Sequence, residues 1–242
     1  MSLRELQGVI GAHEWRKNGI KIPALDGRIH PWYGVFPPIR SEYIDLVARA
    51  PSERKDIAFD IGTGTGVLAA VLARHGVRKV VATDIDERSV ACARDNLARL
   101  GLQSQVDVMQ TDLFPEGRAP LIVCNPPWIP ARPTSPIEHA IFDPDSRMLK
   151  NFLAGAADHL EPQGEVWLVL SDLAERLGLR SREELNAWIN AGNLTVLARD
   201  DIRPDHPRIK DPDDPLHMAR KTEVTSLWRL GLRSNKIVTS EE

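Results

Sequence analysis

Cysteine is scarce: Cys92 and Cys124 are the only two among 242 residues. That is too few for a disulfide framework and suits a reducing cytoplasm. Long apolar runs are missing as well. Stretches such as Val67 to Ala73 fall far short of a membrane span. The opening Met1-Ser2-Leu3-Arg4-Glu5-Leu6-Gln7 carries charge of both signs and no apolar core of signal-peptide length. Neither sign of charge dominates, since 31 basic against 34 acidic residues leave a net charge of −3. Such a balance argues against a dedicated nucleic-acid coat or a membrane-surface binder. No internal repeat or heptad array is visible. What is present, 42% hydrophobic and 27% charged residues, excludes disorder along the whole chain. The expectation is a soluble, cytoplasmic domain with an appendage and no membrane partner.

The chain divides by texture. Residues 1–50 form an entry segment in which Leu3, Leu6, Val9 and Ile10 have helical spacing. A polar turn region follows, punctuated by Pro23, Gly27, Pro31, Gly34, Pro37 and Pro38. A helical pattern then runs from Tyr43 to near Pro51. From residue 51 to 242 short apolar runs alternate with helical segments. Strands are predicted at Ile57–Ile61, Lys79–Thr83, Val106–Met109, Leu121–Cys124, Glu165–Leu170, Leu194–Ala198 and Val224–Leu230. Helices are predicted from Val67 to His75, from Asp86 as N-cap to Leu100, from Ser146 to Leu160 and from Arg182 to Ala191. This alternation specifies an α/β, Rossmann-like doubly wound sheet of seven strands, mostly parallel, with an antiparallel final strand pair. Residues 203–221, with Pro204, Pro207, Pro212 and Pro215 among many charges, read as a long loop.

The strongest local signal is Asp60-Ile61-Gly62-Thr63-Gly64-Thr65-Gly66, at a strand end and opening a helix. Glycines permit positive φ and close approach of a ligand, and the helix N-terminus offers free N–H groups. In a doubly wound sheet such a loop marks the ligand crevice. The Gly-x-Gly-x-Gly spacing differs from the dinucleotide pattern, and no Gly-Lys-Ser/Thr follows, which excludes a P-loop. Asp84, ending the next strand, could accept hydrogen bonds from a ribose diol; Asp86 suits the helix cap better. Asp112, after the third strand, could accept from an adenine amino group or serve as a turn residue.

These features resemble the class I S-adenosylmethionine-dependent methyltransferases over roughly residues 56–230. The resemblance implies S-adenosyl-L-methionine as cofactor and S-adenosyl-L-homocysteine as product. It places Asp60, Gly62, Gly64 and Gly66 near the methionine part, Asp84 with Ile85 at the ribose, and Asp112 with Leu113 near the adenine.

Leu121 to Cys124 runs straight into Asn125-Pro126-Pro127-Trp128. Two prolines cannot continue a parallel ladder; with fixed φ and no N–H they hold the Asn125 amide and nearby carbonyls toward the crevice. An Asn oxygen and a proline carbonyl can both accept from one planar NH₂ group, on which Trp128 could stack. The alternative is a Pro-rich strand exit with an Asx turn and a packed Trp. The tetrapeptide is similar to the Asn-Pro-Pro-aromatic motif of methyltransferases acting on exocyclic or amide nitrogen. It implies Asn125, Pro126 and Trp128 as catalytic residues, with Pro127, Trp128 and Phe36 against the substrate.

The run Asn125 to Pro130 is most similar to the release-factor glutamine-N5 subgroup, typically Asn-Pro-Pro-Tyr-Ile-Pro, and implies a protein acceptor such as a translation factor. The chain departs from that subgroup in Trp128, in its short entry segment and in Ile141-Phe142-Asp143-Pro144. The second reading is an RNA or DNA base, adenine N6 or guanine N2, stacked by Trp32, Tyr33 or Phe36 beside Trp128. Those aromatics could equally staple the entry segment onto the sheet. A third is a non-catalytic binding module. No metal is expected: His206, Asp211, Asp213, Asp214 and His217 match no standard ligand spacing. Cys124 reads as a small core residue rather than a nucleophile.

Overall fold

A computed structural model describes residues 11, 13–131, 142–205 and 217–233. The predicted helix through Leu3, Leu6, Val9 and Ile10, and residues 206–216 of the loop predicted over 203–221, lie outside the described residues; the last five residues of that span, His217–Lys221, form a short helix instead of loop. The chain begins with a small antiparallel pair, β1 (Ile20–Ile22) and β2 (Gly27–Ile29), in register from Ile20 opposite Ile29. Sequence reading predicts only turns here, because three-residue strands on either side of the Pro23–Leu25 turn are too short to show alternation. Helix α1 (Glu42–Arg49) follows the entry segment.

The main sheet is built from β3 (Ile57–Ile61), β4 (Lys79–Asp84), β5 (Val106–Gln110), β6 (Ala119–Cys124), β7 (Leu160–Ser171), β8 (Leu194–Ile202) and β9 (Thr225–Leu232). Their spatial order is β5-β4-β3-β6-β7-β9-β8. The first five in that row are mutually parallel, whereas β9 runs antiparallel to both β7 and β8. The final strand pair is therefore antiparallel as expected, but β9 is inserted inside the sheet and β8 takes the edge. Its composition explains this, for Thr225 to Leu230 are buried except Arg229, while β8 carries Arg199, Asp200 and Asp201 in its outer half.

Helices α2 (Val67–Arg74), α3 (Glu87–Arg99), α4 (Arg147–His159), α5 (Leu173–Arg176), α6 (Arg182–Ala191) and α7 (His217–Lys221) complete the described chain. Residues Val67 to Ala73 are all buried, so α2 is apolar all round because it lies between the sheet and other elements. One core joins α1 and α2 to Ile22, Leu25 and Ile29 of the entry segment and to Trp167 of β7. The other packs Leu149, Phe152 and Leu153 of α4 and Leu185 and Ile189 of α6 against Phe59, Ile122 and Leu168. Burying each such side chain stabilises the fold by about 1.5–3 kcal/mol. Among the described residues no helix is long and apolar enough to cross a membrane.

Candidate active site

Because β3, β4, β5, β6 and β7 are parallel, their C-terminal ends fall on one edge of the sheet, and the connections leaving them converge there. The glycine loop leaves β3. Gly62, Gly64 and Gly66 all have positive φ, at 71°, 55° and 80°. A Cβ on Gly62 would come within 2.7 Å of Met148 Cε, and one on Gly66 within 3.2 Å of Ala93. The same test finds nothing within 4 Å of Gly64. Gly66 is thus packed closely on the Ala93 backbone, Gly62 meets only the movable end of Met148, and Gly64 faces open space where a ligand can approach the backbone.

Asp60 is 1% exposed, and one of its carboxylate oxygens accepts from Thr63 Oγ1 at 2.6 Å and from the Ala69 amide at 3.0 Å. It braces the loop against α2. Burial pushes its carboxyl up to about 6 despite those two bonds. Asp84 is half-buried; its two oxygens accept from the Gly64 amide at 2.9 Å and the Asp86 amide at 3.0 Å. Burial raises its carboxyl as well. Asp86 caps α3, accepting from the Arg88 amide. Ile85, beside Asp84, is 60% exposed. Asp112 is exposed, and Leu113 has a φ of 61°, a conformation rare for a residue with a γ-branch. The Leu113 carbonyl accepts from Thr83 Oγ1, and the Thr111 amide reaches the Asp84 carbonyl, so the β5 exit is laid across the end of β4. An open glycine, a half-buried carboxylate and an exposed Ile in series suit a nucleoside with an amino-acid tail, and the donor set fits S-adenosyl-L-methionine.

Asn125 follows β6 directly and is half-buried. Its Oδ1 accepts from Trp128 Nε1 at 2.9 Å. Pro126 is buried and Pro127 half-buried. The Arg40 guanidinium lies over the Trp128 ring, 4.7 Å from its centroid. Arg40 in turn donates from Nε to Glu42 at 2.5 Å, from Nη1 to Glu223 at 3.0 Å and from Nη2 to Thr225 at 3.3 Å. Trp128 therefore has one ring face covered and its N–H engaged, closer to the packed Trp that the sequence leaves as the alternative than to a ring free on both faces.

Of the other aromatics, Trp32 is engaged by the entry segment and α3. Its Nε1 donates to Asp95 of α3 at 3.3 Å and Arg16 covers its ring, so it staples the entry segment. Tyr33 is 49% exposed and Phe36 half-buried. Three further residues belong to the architecture and escape sequence reading. Asn96 is fully buried; it accepts from the His30 amide and donates to the Thr65 carbonyl, joining entry segment, α3 and glycine loop. Asp143 is buried, its two oxygens accepting from the Met148 and Leu149 amides at the start of α4. Met148 itself reaches the glycine loop. Only a helix-start signature at Asp143-Pro144 offered a hint. Cys124 is fully buried and its thiol is pushed up, as is that of Cys92, which burial raises to about 11. Neither is a nucleophile near neutral pH. Among the described residues no group of three or more His, Cys, Asp or Glu is arranged to hold a metal ion.

The comparisons with known proteins bear on the fold and the family. The family model of the methyltransferase small domain matches residues 45–190. A Methanocaldococcus jannaschii chain provisionally named protein N5-glutamine methyltransferase is 28% identical over 162 residues, covering 64% of this chain and 80% of its own. The release factor glutamine methyltransferase of Cereibacter sphaeroides is 33% identical over 153 residues, 53% of this chain and 51% of that one. The tRNA1(Val) (adenine(37)-N6)-methyltransferase of Bacteroides thetaiotaomicron is 32% identical over 136 residues, 51% of this chain and 56% of that one. The chain thus spans about half the length of the last two. A solved methyltransferase from Thiobacillus denitrificans, in complex with S-adenosyl-L-homocysteine, shares the fold at a TM-score of 0.53 and 14% identity, over 82% of this chain and 92% of its own. Sequence match, sheet order and the crevice at the strand ends lead to one assignment: this chain is a methyltransferase of the methyltransferase small domain family.

Proposed function

We propose that the chain methylates a planar NH₂ nitrogen, a glutamine side-chain amide in a protein, using S-adenosyl-L-methionine. The observation that carries this reading is Asn125 at the exit of β6, its carboxamide oxygen held by the Trp128 N–H at 2.9 Å. A carboxamide oxygen has two lone-pair directions. Trp128 occupies one; the other is available for an N–H of the acceptor, with the Pro126 carbonyl accepting the second. An amide nitrogen is a poor nucleophile because its lone pair is delocalised. Two acceptors holding both N–H groups orient it and favour a more pyramidal geometry. Asn125 cannot serve as a base, so its part is orientation and polarisation, and the proton leaves to water. Asp84 with Ile85, Asp112 with Leu113, and Asp60 with the three glycines would hold the cofactor; Pro127, Trp128 and Phe36 would contact the acceptor. When bound, S-adenosyl-L-methionine supplies an electrophilic methyl group and is released as S-adenosyl-L-homocysteine.

The glutamine reading draws support from the M. jannaschii relative, of which this chain covers 80%. An adenine or other base nitrogen is the second reading, favoured by the B. thetaiotaomicron relative. Incubation with methyl-labelled cofactor and a cell lysate, followed by protease or nuclease digestion, separates them. Protease-sensitive label that disappears with Asn125→Ala is expected. Nuclease-sensitive label would transfer the assignment to nucleic acid. Cofactor binding by calorimetry with no transfer to any polymer would leave a non-catalytic module.

A further inference from the structure

Arg180 is 3% exposed, and its Nε and Nη2 have no hydrogen-bond partner among the described residues. It lies between α5 and α6, in the connection that leaves β7. Strand β7 is the parallel neighbour of β6 and runs three residues beyond Leu168, the partner of Cys124, to end at Ser171. The connection therefore starts from the same sheet edge as Asn125. Gly178, with a φ of 66°, turns the chain there; Leu179 is left 47% exposed while Arg180 points inward.

A buried guanidinium without a partner is costly, and a folded chain rarely retains one for packing alone. The charges that act on Arg180 are those of Glu175, Arg182, Asp143 and Glu184. Each of the three acids is engaged elsewhere. Glu175 accepts from Arg182 Nε with both oxygens at 3.0 Å, Asp143 from two α4 amides, and Glu184 from the Ser181 amide in a capping box. The two free atoms matter. Nε and Nη2 form the edge of the guanidinium whose parallel N–H groups match two oxygens of one carboxylate. Among the described residues the same edge holds carboxylates elsewhere: Arg229 holds Glu165 through Nε and Nη2 at 2.8 and 2.6 Å, Arg199 holds Asp201 at 2.7 and 2.8 Å, and Arg182 holds Glu175 at 3.0 and 2.9 Å.

We propose that the buried, unpaired Nε/Nη2 edge of Arg180 is a binding site for a carboxylate of the methyl acceptor, an acidic side chain or chain terminus near the methylated nitrogen. The identity of that carboxylate's owner rests on the functional reading above; the unpaired edge does not. A phosphodiester continues as a chain on both sides and needs an open groove, whereas a carboxylate ends its chain and enters a closed site. The inward placement of Arg180 therefore favours the carboxylate.

The test compares the unaltered chain with Arg180→Met, Arg180→Gln and Arg180→Lys. At matched ionic strength, sodium acetate should raise the thermal midpoint of the unaltered chain above its value in sodium chloride. Met and Gln should abolish that response, and Lys, which keeps the charge but not the edge, should weaken it. In chloride, Arg180→Met should itself melt higher, because an apolar chain replaces a buried unpaired charge. Should Arg180→Met not fold, Arg180→Gln reads the same response. Transfer of label to protein should fall about tenfold or more in Met, with S-adenosyl-L-homocysteine affinity held within about twofold. No acetate response, or unchanged transfer, overturns the proposal. A response to inorganic phosphate in place of acetate points to a nucleic-acid acceptor and overturns it too. Lost S-adenosyl-L-homocysteine affinity would give the site to the cofactor's own carboxylate. If the unaltered chain labels no protein, the functional reading fails while the acetate response still decides whether the edge binds a carboxylate.

Discussion

Trp128 Nε1 donates to Asn125 Oδ1 at 2.9 Å, and because an indole N–H can only donate, this bond decides which end of the Asn125 carboxamide is oxygen. Trp128→Phe keeps an aromatic ring and removes the donor. Turnover should fall about tenfold to a hundredfold, the cost of a misaligned acceptor, while cofactor affinity is unchanged. Single-turnover methyl transfer alongside calorimetry checks it; equal loss of both would make Trp128 a cofactor contact instead.

The Asp84 carboxylate joins the glycine loop to the exit of β4. Asp84→Ala strips acceptors from the Gly64 and Asp86 amides and opens the proposed ribose contact. Charged hydrogen bonds of this kind contribute about 1.5–3 kcal/mol, so S-adenosyl-L-homocysteine affinity should drop about tenfold to a hundredfold. An unchanged dissociation constant in calorimetry would remove Asp84 from the cofactor site.

Arg40 bridges Glu42 on α1 and Glu223 ahead of β9 while covering Trp128. Glu223 has a fully buried side chain, and its Oε1 also accepts from Ser171. Arg40→Met should destabilise the chain by about 3–5 kcal/mol, by stranding buried carboxylates. The triple variant Arg40→Met, Glu42→Gln, Glu223→Gln should recover much of that loss in urea titrations, yet not the turnover, because Trp128 loses its cover.

The buried Asp60 carboxyl ionises at about 6 rather than its ordinary 3.8. Between those values the folded chain retains a proton that the unfolded chain has lost. Asp60 therefore lowers stability as pH rises from about 4 to about 6, with no further change above. Asp60→Asn should remove that decline and, at pH 7, melt higher by a shift equivalent to at most about 3 kcal/mol. Thermal midpoints of both chains across pH 4–8 provide the check.

Periodicity and turn chemistry in the sequence determined the elements of the main sheet, since strands such as Ile57–Ile61 and helices such as Arg182–Ala191 bury faces written into their own spacing. The glycine loop and Asn125-Pro126-Pro127-Trp128 were legible for a similar reason: positive φ and missing N–H groups are properties of single residues. What only the tertiary structure decided are relations between distant segments. The insertion of β9 between β7 and β8 depends on which surfaces remain to be covered once the parallel strands are paired. Asn96 joining His30 to Thr65, Arg40 reaching Glu223 across 183 residues, and Arg180 buried with an unpaired edge are also invisible in the sequence. The partners of a polar side chain are set by which elements the fold brings beside it, and no local pattern records that choice.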